Sequence, residues 1–395
     1  MGEGESRLSE VDLSEYLGDC RELVIAEIDR YIPPLRGAEA SFYDLMRDYP
    51  LRRAKALRPA LCVATCRALG GAMEAVLPSA AALELYHNAF LIHDDVEDGS
   101  WVRRDEPTLH IKHGVPIAVN VGDGMLALAL APLLENMRLV GLSKALRVLR
   151  LVARMARESA EGQALELGWI RERRWDLRDV DYLRMVHKKT SYYSFITPML
   201  IGAVAAGAGE GAQRAIFRLA ALMGSAFQIQ DDALNLIAEP RAYGKEIGGD
   251  LWEGKHTLIL LHMMRSASDE ERRGAQSILS KDRPEAPETA GHTAEIARAI
   301  AELSAAGELS PAARARLDAA LAGQPGRRPV RTQADVDRLF RWIEKYASIP
   351  YARGVAAQRA EAAGRALDAL ARWMGPSVHR AVLRALVEFI TERDH

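Results

Sequence analysis

Cysteine is scarce in this chain of 395 residues: Cys20, Cys62 and Cys66 stand without a C-x-x-C pair or a matching histidine cluster. An odd, unpaired set argues against a disulfide scaffold and a thiolate metal site, and fits a reducing compartment. Charge of one sign is missing as well. With 52 Lys and Arg against 54 Asp and Glu the net charge is -2, which excludes a general nucleic-acid binder or a polybasic membrane-surface protein and makes any charged site local. The longest apolar runs, MLALALAPLL and PMLIGAVAAGA, fall short of the ~20 residues that span a bilayer. The N-terminus, MGEGESRLSEVDLSEY, is acidic and polar where a secretory signal has a basic start and an apolar run. No membrane span is predicted, and a soluble, cytoplasmic protein is expected. Neither G-x-x-x-x-G-K-[ST] nor G-x-G-x-x-G occurs, so nucleotide binding by a glycine-rich loop is disfavoured.

Strand signals are sparse, whereas segments such as AAALELYHNAFLIHDDVED and QRAIFRLAALMGSAFQIQDDALNLI are rich in Ala and Leu with apolar residues recurring at three and four. The predicted fold is all-α: one domain over 1–395, built as a bundle of long helices around a central cavity. Residues 1–12 read as a polar extension. Residues 281–333, bounded by Pro, Gly and charge, read as a surface insertion.

In HDDVED, Asp94 and Asp98 are four apart and share a helix face, with Asp95 beside them. Like charges at that spacing destabilise a helix unless something neutralises them. One such cluster alone is more often a solvated face, but the preceding ELYHNAFLI is apolar. FQIQDDALNL then repeats the arrangement with Asp231, Asp232 and Asn235 at the same offsets. Two acidic clusters at the ends of apolar helices point to facing helices that hold a hard cation across a cavity. Carboxylate oxygens suit Mg²⁺, which keeps water and phosphate oxygens among its ligands. The basic residues supply the complement: Arg103 and Arg104, Lys55 and Arg58 in RRAKALRP, Lys189 before Thr190, and Lys245 and Lys255 in GKEIGGDLWEGKHT. Guanidinium and ammonium groups beside carboxylate-held metal suit a diphosphate. Without nucleotide motifs, an apolar helical cavity points to an isoprenoid diphosphate.

These motifs together resemble the trans-isoprenyl diphosphate (polyprenyl) synthases. DDVEDGSWVRRDEPTLH looks like the first aspartate-rich motif with its arginine pair, and FQIQDDALNL like the second; KALRP, EGQALEL, KKTSYYSF and GKEIGGDLWEGKHTL match four further elements. The resemblance implies a type I isoprenoid synthase fold, a homodimer, and a Mg²⁺-dependent head-to-tail condensation of isopentenyl diphosphate with dimethylallyl, geranyl or farnesyl diphosphate. It assigns Asp94, Asp98 and Asp231 to three Mg²⁺, with Asp95 and Asp232 in support. Arg103, Lys189 and Lys255 are then expected on the allylic diphosphate, and Lys55, Arg58, His87 and Arg104 on the isopentenyl diphosphate. Thr190 and Gln228 fall near the reacting carbon, and Lys245 is a further substrate-binding lysine with a solvated position equally open. His87 alone would read as an ordinary core histidine. Ala89 and Phe90, one turn before Asp94, are expected to set product length, with geranylgeranyl diphosphate as product and farnesyl or longer chains as competitors. A terpene cyclase and a non-catalytic regulatory subunit are the other readings. The chain departs from the family pattern at Ala54 and Ala56 and at Asn235, where many members have a charged Asp.

Overall fold

Asp12 opens the first helix by accepting hydrogen bonds from the backbone N–H groups of Ser14 at 2.9 Å and Glu15 at 3.1 Å, the capping that a short carboxylate performs well. This computed structural model describes residues 12–34, 37–52, 54–237, 248–284, 298–304, 306, 308–321 and 329–392. Helices α1 (Leu13–Tyr31), α2 (Ala38–Leu51), α3 (Leu57–Ala68) and α4 (Leu77–Asp98) lead into a two-stranded hairpin, β1 (Val102–Arg103) and β2 (Glu106–Pro107). Then come α5 (Leu109–His113), α6 (Val115–Leu128), α7 (Leu130–Val140), α8 (Leu142–Glu172) and α9 (Asp179–Val186). A π-helical segment (His187–Ile196) runs into α10 (Thr197–Ala205), followed by α11 (Glu210–Ile237), α12 (Gly249–Glu253), α13 (Leu258–Ser266) and α14 (Asp269–Leu279). Helices α15 (Pro311–Leu321), α16 (Gln333–Lys345), α17 (Ser348–Ala369) and α18 (Val378–Glu392) complete the chain. The all-α expectation holds, and among the described residues neither the short hairpin nor the π-helical turn was announced by sequence periodicity.

Two helices form the axis. The alanine-rich α4 is buried along most of its length, because small side chains let α1, α3, α6 and α7 close around it. The other axis, α11, lies along α17, whose Ala352, Ala356, Ala360 and Ala363 form its buried stripe. Between α8 and α11 sits the π-helical segment, where the N–H of Thr197 reaches back five residues to the carbonyl of Tyr192. Two glycines permit this sandwich. A Cβ on Gly162 would lie 2.3 Å from the backbone nitrogen of Lys189, and one on Gly224 would lie 2.8 Å from Cα of Ser191. π-helical turns concentrate at functional sites, and this one carries Lys189, Thr190 and Tyr193.

Two boundaries differ from the sequence reading. Val115–Val140, across α6 and α7, is a 26-residue stretch long and apolar enough to cross a membrane by length and composition. Polar residues such as Asp123, Glu135 and Asn136 break it into short runs when read linearly. One side of it packs on α4 through Ala118, Val121, Met125 and Leu133, and Asn136 donates a hydrogen bond to Ser79. The ends of the 281–333 segment belong to the packed body. The N–H of Asp282 donates to the Pro329 carbonyl at 3.0 Å and that of Arg331 to the Asp282 carbonyl at 2.8 Å, Lys281 pairs with Asp335 at 2.7 Å, and Thr332 caps α16.

Between α12 and α13, His256 is fully buried with its ring stacked on Trp175, centroids 4.1 Å apart. Burial pushes its imidazole down to about 4 from the ordinary 6.5. The unfolded chain therefore binds the extra proton between those values, so the stabilisation is complete above pH 6.5 and is lost as pH falls through about 4. His256→Phe keeps a ring and removes the titration. Between pH 6.5 and 4 the unfolding free energy of the wild type is expected to fall by on the order of 3 kcal/mol more than that of the variant. Parallel pH profiles in denaturant titrations would contradict this.

Candidate active site

A cavity of about 1000 Å³ lies between the axial helices. From α4 it takes Glu84, His87, Leu91 and Asp94, from α11 Phe227, Gln228, Asp231 and Asp232, and from the π-helical segment Lys189, Thr190 and Tyr193. Lys55, Arg58, Arg103, Arg104, Asp250, Lys255 and His256 also line it. Most of the predicted site residues are thus brought to one wall or another of a single space. Lys245 lies outside the described residues. Ala89 is packed into the core, and Phe90 lies behind the wall, edge-on to the lining residue Tyr193 with ring centroids 5.7 Å apart.

The hairpin sorts the arginine pair. Arg104 and Asp105 form its two-residue turn, with φ of 54° and 64°. Left-handed backbone at both central positions matches the right-handed twist of the strands, and each non-glycine residue there carries roughly 1 kcal/mol of strain. The hairpin is clamped from α2. Arg52, buried and paired with Asp48 at 2.6 Å, donates to the backbone carbonyls of Arg103 at 2.8 Å and Pro107 at 2.9 Å.

On one side of this clamp the cations are compensated. Arg103 Nε donates to Asp95 Oδ1 at 2.9 Å, Nη2 reaches the same oxygen, and the Tyr49 hydroxyl donates to the other at 2.6 Å. Arg103 also lies 3.8 Å from Asp94. Lys189 pairs with Glu166 and stands 3.2 Å from Asp94. Lys255 sits 2.8 Å from Asp98 and 2.7 Å from Glu253. Burial opposes the charge on Asp94, but Lys189, Lys255 and Arg103 outweigh it and hold the carboxyl well below the usual range. Burial likewise opposes the charge of Lys189, and Asp94 with Glu166 keeps its pKa above the ordinary value. Asp98 goes the other way. Burial, with Asp94 and Glu253 nearby, pushes it up to about 7 in spite of Lys255.

The opposite bank differs. Arg58 donates to the Ser194 hydroxyl at 2.7 Å and lies 4.5 Å from the Tyr193 ring centroid; Arg104 donates to the Tyr49 carbonyl at 2.7 Å. Neither makes an ion pair with a carboxylate among the described residues. Burial, with Arg103, Arg58 and Arg52 close by, pushes Arg104 down to about 10 although Glu84 opposes the shift. His87 stacks on Tyr193 and lies 3.5 Å from Arg104, while Lys55 sits over the Phe389 ring at 4.9 Å. Ala54 and Ala56, the departures in the first basic motif, line the cavity here, with Ala56 in left-handed backbone just before α3.

On α11 the second cluster forms a relay. The Thr190 hydroxyl donates to Gln228 at 2.8 Å, Gln228 donates to Asp232 at 2.7 Å, and the Tyr182 hydroxyl donates to the other oxygen of Asp232 at 2.6 Å. Burial, with Asp231 and Glu166 nearby, pushes Asp232 up to about 7 against these hydrogen bonds. Asn235 is accounted for by a different task, since its side-chain oxygen accepts the N–H of Asp250 at 3.1 Å and ties α12 to α11. Among the described residues no three carboxylate, imidazole or thiolate groups converge on one point. Beyond burial, the carboxylates of Asp94 and Glu253 lie close enough to Asp98 to raise its pKa, a surplus of negative charge that suits a hard cation such as Mg²⁺, which completes its shell with water and phosphate oxygens; Asp231 lines the same cavity from α11. Tyr49, Glu166, Tyr182, Asp250 and Glu253 were missed by sequence reasoning. Glu166 carried a signal inside the EGQALEL element, and Asp250 and Glu253 inside GKEIGGDLWEGKHTL, whereas Tyr49 and Tyr182 carried none.

The chain matches the polyprenyl synthetase family over residues 39–296. A short chain isoprenyl diphosphate synthase of Methanocaldococcus jannaschii is 33% identical over 256 residues, 65% of this chain and 76% of that one. The fold superposes on geranylgeranyl pyrophosphate synthetase from Pyrococcus horikoshii with a TM-score of 0.74 at 27% identity, covering 96% and 98% of the two chains. It also superposes on a polyprenyl synthase from Caulobacter crescentus, solved with calcium and isoprenyl diphosphate, with a TM-score of 0.73 at 26% identity, covering 97% and 98%. Aspartate clusters on two axial helices, paired lysines between them and these matches lead to one conclusion: the chain belongs to the polyprenyl synthetase family and is a trans-prenyltransferase.

Proposed function

We propose that this prenyltransferase condenses isopentenyl diphosphate head to tail with dimethylallyl, geranyl or farnesyl diphosphate, and that geranylgeranyl diphosphate is its main product. The observation that carries the reading is the division of the cations. Arg103, Lys189 and Lys255 already have carboxylate partners, so their bank suits a diphosphate that arrives with metal, the allylic one. Arg58 and Arg104 pair with no carboxylate among the described residues, so theirs suits the diphosphate of isopentenyl diphosphate, with Lys55 and His87 beside it. A terpene cyclase would have no use for this second bank, and a regulatory subunit no use for either.

Asp94, Asp98 and Asp231 would hold Mg²⁺, expected at three ions per site. When bound, Mg²⁺ stabilises negative charge on the departing pyrophosphate. Arg103, Lys189 and Lys255 add fixed positive charge where that negative charge develops as the allylic carbon–oxygen bond breaks. Arg58 and Arg104 hold the isopentenyl double bond where it captures the allylic cation. The proton then lost goes to the released pyrophosphate, so no protein nucleophile is needed. Leu91, Met185, Tyr193 and Phe227 on the wall keep water from the cation.

Product length is read from Phe90. Its ring supports Tyr193, and the Pyrococcus horikoshii relative is named for the twenty-carbon product. The surface supports a homodimer: α6, α7 and the start of α8 expose Val115, Ile117, Leu130, Leu134, Leu139 and Leu142, an apolar face that a second copy would cover. The three free, buried cysteines suit the cytoplasm.

Incubation with Mg²⁺, isopentenyl diphosphate and each allylic primer, followed by chromatography of the dephosphorylated products, is expected to give mainly the twenty-carbon alcohol. No consumption of isopentenyl diphosphate would sink the reading. Phe90→Ala is expected to shift the distribution to longer chains, and an unchanged distribution would remove Phe90 as a length determinant. In analytical ultracentrifugation the wild type is expected at twice the 43.5 kDa chain mass. The double variant Leu134→Asp, Leu142→Asp is expected at the chain mass, and a dimeric variant would place the interface elsewhere.

A further inference from the structure

Arg331 is 3% exposed, yet its guanidinium bonds to no carboxylate among the described residues. It donates instead to five backbone carbonyls: Nη1 to Leu251 and Trp252 at 2.5 Å each, Nη2 to Leu279 at 3.1 Å and Lys281 at 3.0 Å, and Nε to Ile278 at 3.4 Å. Leu251 and Trp252 close α12, and Ile278 and Leu279 close α14, so the charge rests on the carbonyl ends of two helices. Burying a cation this way is costly unless each donor is satisfied, and the planar five-donor fork of arginine is the side chain that can serve so many carbonyls.

What this fork holds leads directly into the active site. Gly254 follows α12 with φ +74°, and a Cβ there would meet Arg331 Nη2 at 3.4 Å, so the backbone turns against the guanidinium. The next residue is Lys255, whose N–H bonds to the Asp250 carbonyl at 3.0 Å and whose ammonium lies 2.8 Å from Asp98. The other root of the 281–333 segment adds a second strut: Arg283 pairs with Glu253 at 2.7 Å, and Glu253 pairs with Lys255 at 2.7 Å.

We propose that Arg331 is a positioning residue for Lys255, fixing the α12–Gly254 turn so that the ammonium stands at the acidic cluster of α4. This rests on the reading of Lys255 as part of the grip on the allylic diphosphate. It also gives the root of the insertion a part in substrate binding although Arg331 touches no substrate.

Arg331→Lys keeps the charge but not the fork, and serves as the test if Arg331→Met fails to fold. In Arg331→Lys the KM for the allylic diphosphate is expected to rise about tenfold while that for isopentenyl diphosphate stays within about twofold. Hydrogen exchange of the Gly254 and Lys255 amides is expected to quicken. In a Lys255→Ala background the same substitution is expected to add nothing, because the interaction runs through the lysine. Equal rises in both KM values, or a full additional effect on top of Lys255→Ala, would overturn the proposal. Calorimetric binding of inorganic pyrophosphate with Mg²⁺ separates this from the functional reading. Weaker binding in Arg331→Lys but no further weakening in the double variant supports the positioning role even if the wild type condenses nothing, and unchanged binding in Arg331→Lys overturns it.

Discussion

The buried pair between Asp95 and Arg103 is the contact on which the rest of the site depends. Asp95 accepts from Arg103 and from Tyr49, and Tyr49 in turn receives Arg104 on its backbone carbonyl. One carboxylate therefore fixes the hairpin against α4 and α2 and sends two adjacent arginines to different duties. Removing one partner of a buried pair leaves an uncompensated charge, a loss of about 3–5 kcal/mol. The strained backbone of Arg104 persists because Arg52, Tyr49 and Asp95 together over-determine the turn.

From that fixed point the electrostatics divide. Asp94, one residue before Asp95, faces the cavity and is shared by Lys189 and Arg103, while Asp98 is held by Lys255. The lysines come from elements with no local relation to α4, the π-helical segment and the turn after α12. Each is in turn held by an acid of its own, Glu166 or Glu253. The acidic bank is therefore folded around its cations before any metal arrives, whereas Arg58 and Arg104 form no ion pair with a carboxylate among the described residues.

Much of this was legible in the sequence. Helical periodicity gave the all-α class, and the same offsets at Asp94, Asp95 and Asp98 and at Asp231, Asp232 and Asn235 gave two polar clusters, whose Asp94, Asp231 and Asp232 line one cavity. Pattern set Asp95 beside the face shared by Asp94 and Asp98, but not its task, the buried pair with Arg103 and Tyr49. Asn235 looked like a weakened metal ligand and is a bond to the backbone of Asp250, 15 residues on. Tyr49 and Arg331 were invisible for the same reason: their partners lie 46 and 80 positions away. Linear spacing carries no trace of such contacts. The apolar α6–α7 stretch was hidden by the opposite effect, since scattered polar residues shortened its runs without changing the face it presents.

The division of charge is tested most directly by counting inorganic pyrophosphate bound per chain by calorimetry, once in a chelator and once with Mg²⁺. A single equivalent is expected in chelator, taken by the bank of Arg58 and Arg104, with a second equivalent only when Mg²⁺ is present. Two equivalents without metal, or none, would contradict the assignment of the two banks.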